Sequence, residues 1–358
     1  MTARHTLESI QALRAIAAIL VVILHSYMHL AARDLVSNDL TTFGVGRAGV
    51  DIFFVISGFI MVYVTQNAFQ TPGSSNSFII KRFIRVAPTY WLYTSFIALL
   101  LFLSPENFSD GKSFNISHYV TSMLFLPYPT PHDGAIKTIL PVGWTLLYEM
   151  YFYCVVAILL FFPKRLFLYL LAFWFIGSCI LGRIFFADVW QLKVYTHPLL
   201  LEFLMGCIIA TVYFNRNSIP SPHLWFFFGA ALLFVSMFFD TTPKWRVVKW
   251  GIPSFFIVIG AIYWERMYSI NIPTILARLG ASSYSLYLTH LFTINLLGFT
   301  WRKVLGLEVH FSVFIVTAVI LSIIGGHVCY LLIEQPVTRW LTRAVKKNAD
   351  KTTSKSLA

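Results

Sequence analysis

Two ionisable side chains stand on the first apolar segment at a spacing that puts them on one helix face. Arg14 and His25 lie eleven residues apart within the stretch 11–30, which is close to three turns of an α-helix and roughly 16 Å along its axis. An ionisable residue at membrane depth must face protein or a wet cavity. A lone histidine often only bridges helices, but an arginine on the same stripe favours a functional role for the pair.

Two carboxylates interrupt later apolar segments. Asp51 lies in the stretch 49–59, and Glu149 lies several residues inside the stretch 143–153. A carboxylate near a histidine can fix its tautomer and raise its basicity, whereas Asp51 at the membrane interface would simply stay hydrated. Glu149 can pair with an arginine, bind a substrate hydroxyl or act as a base, and a structural ion pair is the equally weighted alternative.

A basic pair and a polar-aromatic stripe complete the candidate chemistry. Arg82 and Arg85 are three residues apart, so they project from neighbouring positions of a helix and form a fork for phosphate groups. Anchoring of the helix end by positive charge explains either arginine alone. The stripe 283–290 ends at His290, the second candidate histidine at depth.

The composition is that of a protein embedded in lipid. Of 358 residues, 58% are hydrophobic and 12% are charged, and the mean hydropathy is +0.72, whereas soluble domains average about 25% charged residues. No soluble basic domain carries the net charge of +12, so we expect anionic lipid headgroups as its partner and not nucleic acid. The four cysteines lie in apolar runs without CxxC spacing, and we expect no metal site.

Apolar windows of about 17–25 residues predict spanning helices. Lysine and arginine favour the loops on the side of the N-terminus, and an even helix count then puts both termini in the cytoplasm. The sequence therefore predicts an all-α, polytopic membrane helical bundle, with a membrane domain over 1–340 and a basic cytoplasmic tail over 341–358. The predicted spans, about ten, are 11–30, 46–66, 84–103, 142–162, 165–183, 196–214, 223–239, 248–264, 283–301 and 312–333.

The order of these motifs resembles one known family. The chain is similar to the integral-membrane acyltransferase-3 family, and in particular to its bacterial branch that O-acetylates exopolysaccharides and O-antigens, over about residues 10–343. The resemblance rests on QALRAIAA at 11–18 with His25, GVDIFFVISGF at 49–59, KRFIRVAPTYW at 81–91, GWTLLYEMYFY at 143–153, SYSLYLTH at 283–290 and IEQP at 333–336.

The resemblance implies a bacterial inner-membrane enzyme that takes an acyl group, by default acetyl, from cytoplasmic acyl-CoA. The acceptor it implies is a hydroxyl of a polysaccharide or of a lipid-linked oligosaccharide. Acetyl-CoA is then a donor substrate held by the arginines, and His25 is a general base or an acetylated relay. The expected site residues are the catalytic His25, Asp51 and Glu149, the donor-binding Arg14, Arg82 and Arg85, and the acceptor-lining Ser57, Tyr148, Tyr284, Ser285 and His290.

Two other function classes stay open at this point. One is a polysaccharide or lipid-linked sugar transporter that uses His25, Glu149 and His290 as a proton relay. Inverted repeats or helices broken by glycine and proline would favour it, and the sequence shows neither clearly. The other is a structural membrane partner of a polysaccharide assembly complex. The sequence leaves open the accepting glycan, the acyl group and the oligomeric state.

Overall fold

The computed structural model describes residues 7–37, 43–104, 113–131, 133–239, 245–303 and 310–356. It is 79% helix, and these ranges contain no strand, which confirms the prediction of an all-α protein. The α-helices are α1 (Glu8–Ala31), α2 (Ala48–Thr65), α3 (Ser74–Leu103), α4 (Ile116–Met123), α5 (Trp144–Leu159), α6 (Phe167–Phe185), α7 (Leu200–Asn215), α8 (Pro222–Ser236), α9 (Ile252–Tyr268), α10 (Thr274–Ala281), α11 (Ser283–Lys303), α12 (Phe311–Cys329) and α13 (Gln335–Ser356).

Every predicted span coincides with a helix, but the helices differ in length and polarity. Among the described residues, seven helical segments are long and apolar enough to cross a membrane, and they contain α1, α2, α3, α5, α6, α9 and α12. The apolar helices α7 and α8 are shorter, and α11 is more polar than its neighbours. The chain is therefore a membrane protein with at least these seven candidate spans, while the number ten and the cytoplasmic termini stay predictions.

Three further helices lie outside the predicted spans. The helix α4 is only eight residues long, which is too short to span the hydrocarbon core. The helix α10 is equally short. A π-helical turn at Tyr330–Glu334 joins α12 directly to α13. Since α13 is one continuous helix, it crosses the predicted border between residues 340 and 341, and the two-part division of the chain stays a prediction.

The helices α2 and α7 pack with their backbones in contact, and this pairing is the most extensive in the described part of the chain. A methyl group added to Gly206 would lie 2.0 Å from the carbonyl oxygen of Val55, and one added to Gly58 would lie 2.0 Å from that of Phe203. Only glycine fits at either position, because nothing larger leaves room for the opposite backbone. Gly58 and Gly206 therefore permit the close approach of the two helices.

The beginning of α1 is fixed by a carboxylate from the end of α9. Glu265 accepts hydrogen bonds from the backbone N–H of Glu8 at 2.9 Å and of Ser9 at 3.0 Å, and from the Ser9 hydroxyl at 2.5 Å. A negative charge at a helix N-terminus is favourable because it compensates the exposed N–H groups there. This contact sets the axial position of α1, and Arg14 follows little more than one turn later.

We predict that Gly206→Ala destabilises the protein by about 1–3 kcal/mol, the usual cost of overpacking a tight contact. Gly177→Ala is the matched control, because its added methyl group meets no described atom within 4 Å. Thermal unfolding of the purified protein in one detergent measures both. A melting temperature for Gly206→Ala equal to that of the control would contradict the backbone contact between α2 and α7.

Candidate active site

A cavity of about 280 Å³ lies between α1, α2, α3, α5 and α11. The three arginines predicted to bind the donor all line it, although they come from two helices far apart in the sequence. Of the other candidates, Ser57, Glu149 and Tyr284 also line it. The remaining lining residues are Val50, Phe53, Phe54, Ile56, Ile60, Met61, Val86, Thr145, Leu146, Tyr153, Ser283 and Tyr287.

One of the arginines is held by a buried carboxylate. Arg85 pairs with Glu334 at 2.5 Å, and the Glu334 side chain is completely buried. The same carboxylate accepts hydrogen bonds from the hydroxyl of Ser285 at 2.6 Å and from its backbone N–H at 3.2 Å. Glu334 lies in the π-helical turn after α12 and so joins α3, α11 and the end of α12 at the cavity. Ser285 itself is not among the lining residues.

The other two arginines keep donors for a ligand. Arg14 donates to the side-chain oxygen of Gln11 at 3.3 Å, one turn earlier on α1. The Nε of Arg82 is buried and has no hydrogen-bond partner among the described residues, while its guanidinium carbon lies 5.9 Å from the Phe78 ring centroid. Arg82 as a residue lines the cavity, and its buried Nε is a polar group that the described residues leave unsatisfied.

Glu149 faces the cavity with hydroxyl partners. Its Oε1 accepts from the hydroxyl of Ser57 at 3.0 Å and from the phenol of Tyr153. Both partners donate O–H groups of the protein itself, and the role of Glu149 toward a substrate stays a prediction. Tyr153 is a contact that sequence reasoning missed, although it follows Glu149 by one helical turn in the same motif.

The two predicted deep histidines are in contact. Nε2 of His290 lies 3.1 Å from Nδ1 of His25, and the ring centroids are 5.0 Å apart. The same Nδ1 lies 3.0 Å from the carbonyl oxygen of Val21, and Nδ1 of His290 lies 3.3 Å from that of Leu286. His290 is completely buried, whereas His25 keeps some exposure. In this pair His25 is the less buried imidazole, and the completely buried His290 contacts it from behind.

Arg14 and His25, predicted from their spacing to share one helix face, both lie near α11. Arg14 shares the cavity with residues of α11, and His25 contacts a residue of α11 three turns further along. Neither histidine lines the cavity. Between them and the cavity stands Tyr287, whose ring centroid is 6.0 Å from that of His290 and 6.1 Å from that of Phe53. Its hydroxyl contacts the hydroxyl of Thr145 at 3.0 Å.

Asp51 is engaged by an arginine that sequence reasoning missed. Arg246 donates from Nε to Oδ1 at 3.1 Å and from Nη2 to Oδ2 at 2.6 Å, and Asp51 is completely buried. The guanidinium lies 5.7 Å from the Trp144 ring and 5.3 Å from the Trp250 ring. The expectation of a hydrated carboxylate at the interface is wrong, because the helices enclose it. The catalytic role of Asp51 stays a prediction.

The predicted acceptor-lining residues are spread over the bundle. Ser57 and Tyr284 face the cavity, and the hydroxyl of Tyr284 donates to the carbonyl oxygen of Val86 at 2.7 Å. Tyr148 is buried away from it, with its ring 5.8 Å from Trp144 and 5.7 Å from His197. Their roles in acceptor binding stay predictions.

We predict that Glu334→Ala lowers the free energy of unfolding by up to about 3 kcal/mol, because it strands the Arg85 guanidinium and frees Ser285. The value is below that of a fully buried pair since the Arg85 side chain is 33% exposed, which screens its charge. The control is Asp133→Ala, which removes the partner of Lys137 from an ion pair with side chains 41% and 47% exposed; it should leave the melting temperature unchanged. Equal melting temperatures for the two variants would contradict an organising role for Glu334.

Comparisons with known proteins identify the family of this chain. Residues 7–331 match a protein family described as an acyltransferase domain. The chain is 31% identical over 297 residues to the exopolysaccharide production protein ExoZ of Rhizobium meliloti (strain 1021), covering 83% of this chain and 91% of that protein. No solved structure matches.

Proposed function

Because the chain belongs to the acyltransferase-3 family, we propose that this acyltransferase moves an acyl group, acetyl by preference, from acyl-CoA to a hydroxyl of an exported polysaccharide. The acceptor is the polysaccharide itself or its lipid-linked precursor. Similarity to a protein named for exopolysaccharide production supports this acceptor class over an O-antigen. We place the enzyme in a bacterial inner membrane, with the arginine end of the cavity toward the cytoplasm, where acyl-CoA is found.

The observation that carries the proposal is the meeting of Arg14, Arg82 and Arg85 on one cavity. Arginines bind phosphate through several N–H groups at once, and coenzyme A carries phosphates at the end opposite to its thioester. Pockets for drug-sized ligands hold about 300–1,000 Å³, so a cavity of about 280 Å³ suits the pantetheine arm and not the whole coenzyme. The nucleotide end then stays at the cytoplasmic mouth.

The three arginines take different parts in donor binding. Arg14 and Arg82 keep N–H groups that can donate hydrogen bonds to a phosphate. Arg85 is already paired with Glu334, and it keeps the basic wall in place while adding positive charge.

We place the reaction at His25. The thioester reaches His25 by passing Tyr287. His25 either takes the proton from the acceptor hydroxyl or is itself acylated and passes the group on. Glu149, with its two hydroxyl partners, stabilises a polar group of the arriving donor. Asp51 acts from a distance through the buried charge pair that it forms with Arg246.

We predict that Arg82→Ala raises the KM for acetyl-CoA at least about tenfold, because the substitution removes one hydrogen bond between a charged group and the phosphate. Arg165→Ala is the control. Arg165 is an exposed arginine just before α6, so this substitution removes the same charge at a place outside the cavity. Steady-state transfer from labelled acetyl-CoA to purified polysaccharide, with the protein in nanodiscs, gives both values. An unchanged KM in Arg82→Ala would overturn the donor site.

We predict that His25→Ala abolishes transfer while acetyl-CoA still raises the melting temperature of the variant. A ligand that binds only the folded protein must stabilise it, so the thermal shift separates donor binding from chemistry. Comparison of the cell-surface polysaccharide by NMR, from cells with either form, reports the acyl group and its position. Full acylation by the His25→Ala form would contradict the proposed chemistry.

A further inference from the structure

The polar contacts of the histidine pair restrict its protonation. Nδ1 of His25 lies 3.0 Å from the carbonyl oxygen of Val21 and 3.1 Å from Nε2 of His290, and Nδ1 of His290 lies 3.3 Å from the carbonyl oxygen of Leu286. Each carbonyl belongs to the residue four positions earlier on the same helix. A carbonyl oxygen can only accept a hydrogen bond, so each of these contacts requires a proton on the histidine nitrogen.

For two neutral imidazoles, one assignment satisfies all three contacts. A neutral imidazole carries one N–H and one lone pair. If Nδ1 of His290 holds its proton, it donates to Leu286 and leaves Nε2 as an acceptor. Nδ1 of His25 must then hold a proton, which it shares between Val21 and His290. The opposite assignment places a bare Nδ1 of each ring against a carbonyl oxygen, two contacts between acceptors.

From this geometry we propose that His290 is a positioning residue that holds the proton of His25 on Nδ1 and so makes Nε2 of His25 the reactive nitrogen. The inference rests on the proposed function, because it assumes that His25 does the chemistry. His290 suits this role since it is completely buried and its own orientation is fixed by a helix carbonyl. A neighbour that accepts from one imidazole nitrogen determines the tautomer of the whole ring.

The lone pair on Nε2 serves acyl transfer directly. As the acceptor oxygen bonds to the thioester carbonyl carbon, its proton passes to Nε2 of His25. The carbon–sulfur bond then breaks, its electron pair leaves on sulfur, and the thiolate takes the proton back from Nε2. While His25 carries both protons, its Nδ1–H still donates to His290, which stabilises the imidazolium. An acyl relay through His25 would need the same lone pair.

Two substitutions at position 290 separate positioning from packing. In His290→Gln, the terminal amide reaches the place of Nε2, and its oxygen can accept from Nδ1–H of His25. In His290→Asn, the shorter amide reaches only the place of Nδ1, so the bond to His25 is lost. We expect kcat to fall at least about 10²-fold in His290→Asn, the usual contribution of a general base, and the KM for acetyl-CoA to stay within about twofold. His290→Gln should recover kcat to within about tenfold of the wild type.

The outcomes are distinguishable from failure of the proposed function. If His25→Ala retains transfer, the proposed function fails. If His25→Ala is inactive and His290→Asn is fully active, or if the Gln and Asn variants are equally impaired, only the role of His290 is overturned. Nitrogen NMR of the wild-type protein with labelled histidine needs no variant to fold: protonation of His25 at Nδ1 supports the assignment, and protonation at Nε2 contradicts it.

Discussion

Two buried carboxylates, each paired with an arginine, tie the apolar helices of this protein together. An unpaired ion at membrane depth costs several kcal/mol, and here Glu334 binds Arg85 and Ser285, and Asp51 binds Arg246. The first pair ties α3 and α11 to the end of α12 at the cavity, and the second ties α2 to the residue before the π-helical turn Val247–Gly251, which leads into α9. Removing either carboxylate would leave a cation without its partner.

With the pairs in place, the unpaired polar groups become informative. Arg14 and Arg82 line a cavity, and His25, three turns after Arg14 on α1, contacts His290 of α11. The basic cavity and the histidine pair thus lie at two levels of α1 and α11, with Tyr287 between them. This arrangement matches a donor with phosphates at one end and a thioester at the other, since the phosphates would bind the arginines and the thioester would lie near the histidines.

The sequence predicts the helices and the candidate groups well, and their partners poorly. Apolar length located a helix at each predicted span, and spacing alone predicted Arg14 and His25 on one face. The pairing of Asp51 with Arg246 joins residues 195 positions apart, and no local pattern reports such a contact. Glu334 was visible only as a carboxylate in the IEQP motif, because the π-helical turn that directs it inward has no sequence signal. The apolar windows 196–214 and 283–301 predict two spans, whereas the helices found there differ from the seven candidate spans, α7 by being shorter and α11 by being more polar.

The central claim is that the basic cavity and the histidine pair form one active site. The most direct test is an electron cryomicroscopy structure of the protein in a nanodisc with a non-reactive acetyl-CoA analogue. We expect phosphate groups on Arg14 and Arg82, the pantetheine arm in the cavity, and the acyl group next to Nε2 of His25, with room for an acceptor hydroxyl about 3–3.5 Å from the carbonyl carbon, the range of a reactive approach. Phosphates bound elsewhere, or an acyl group directed away from His25, would contradict it.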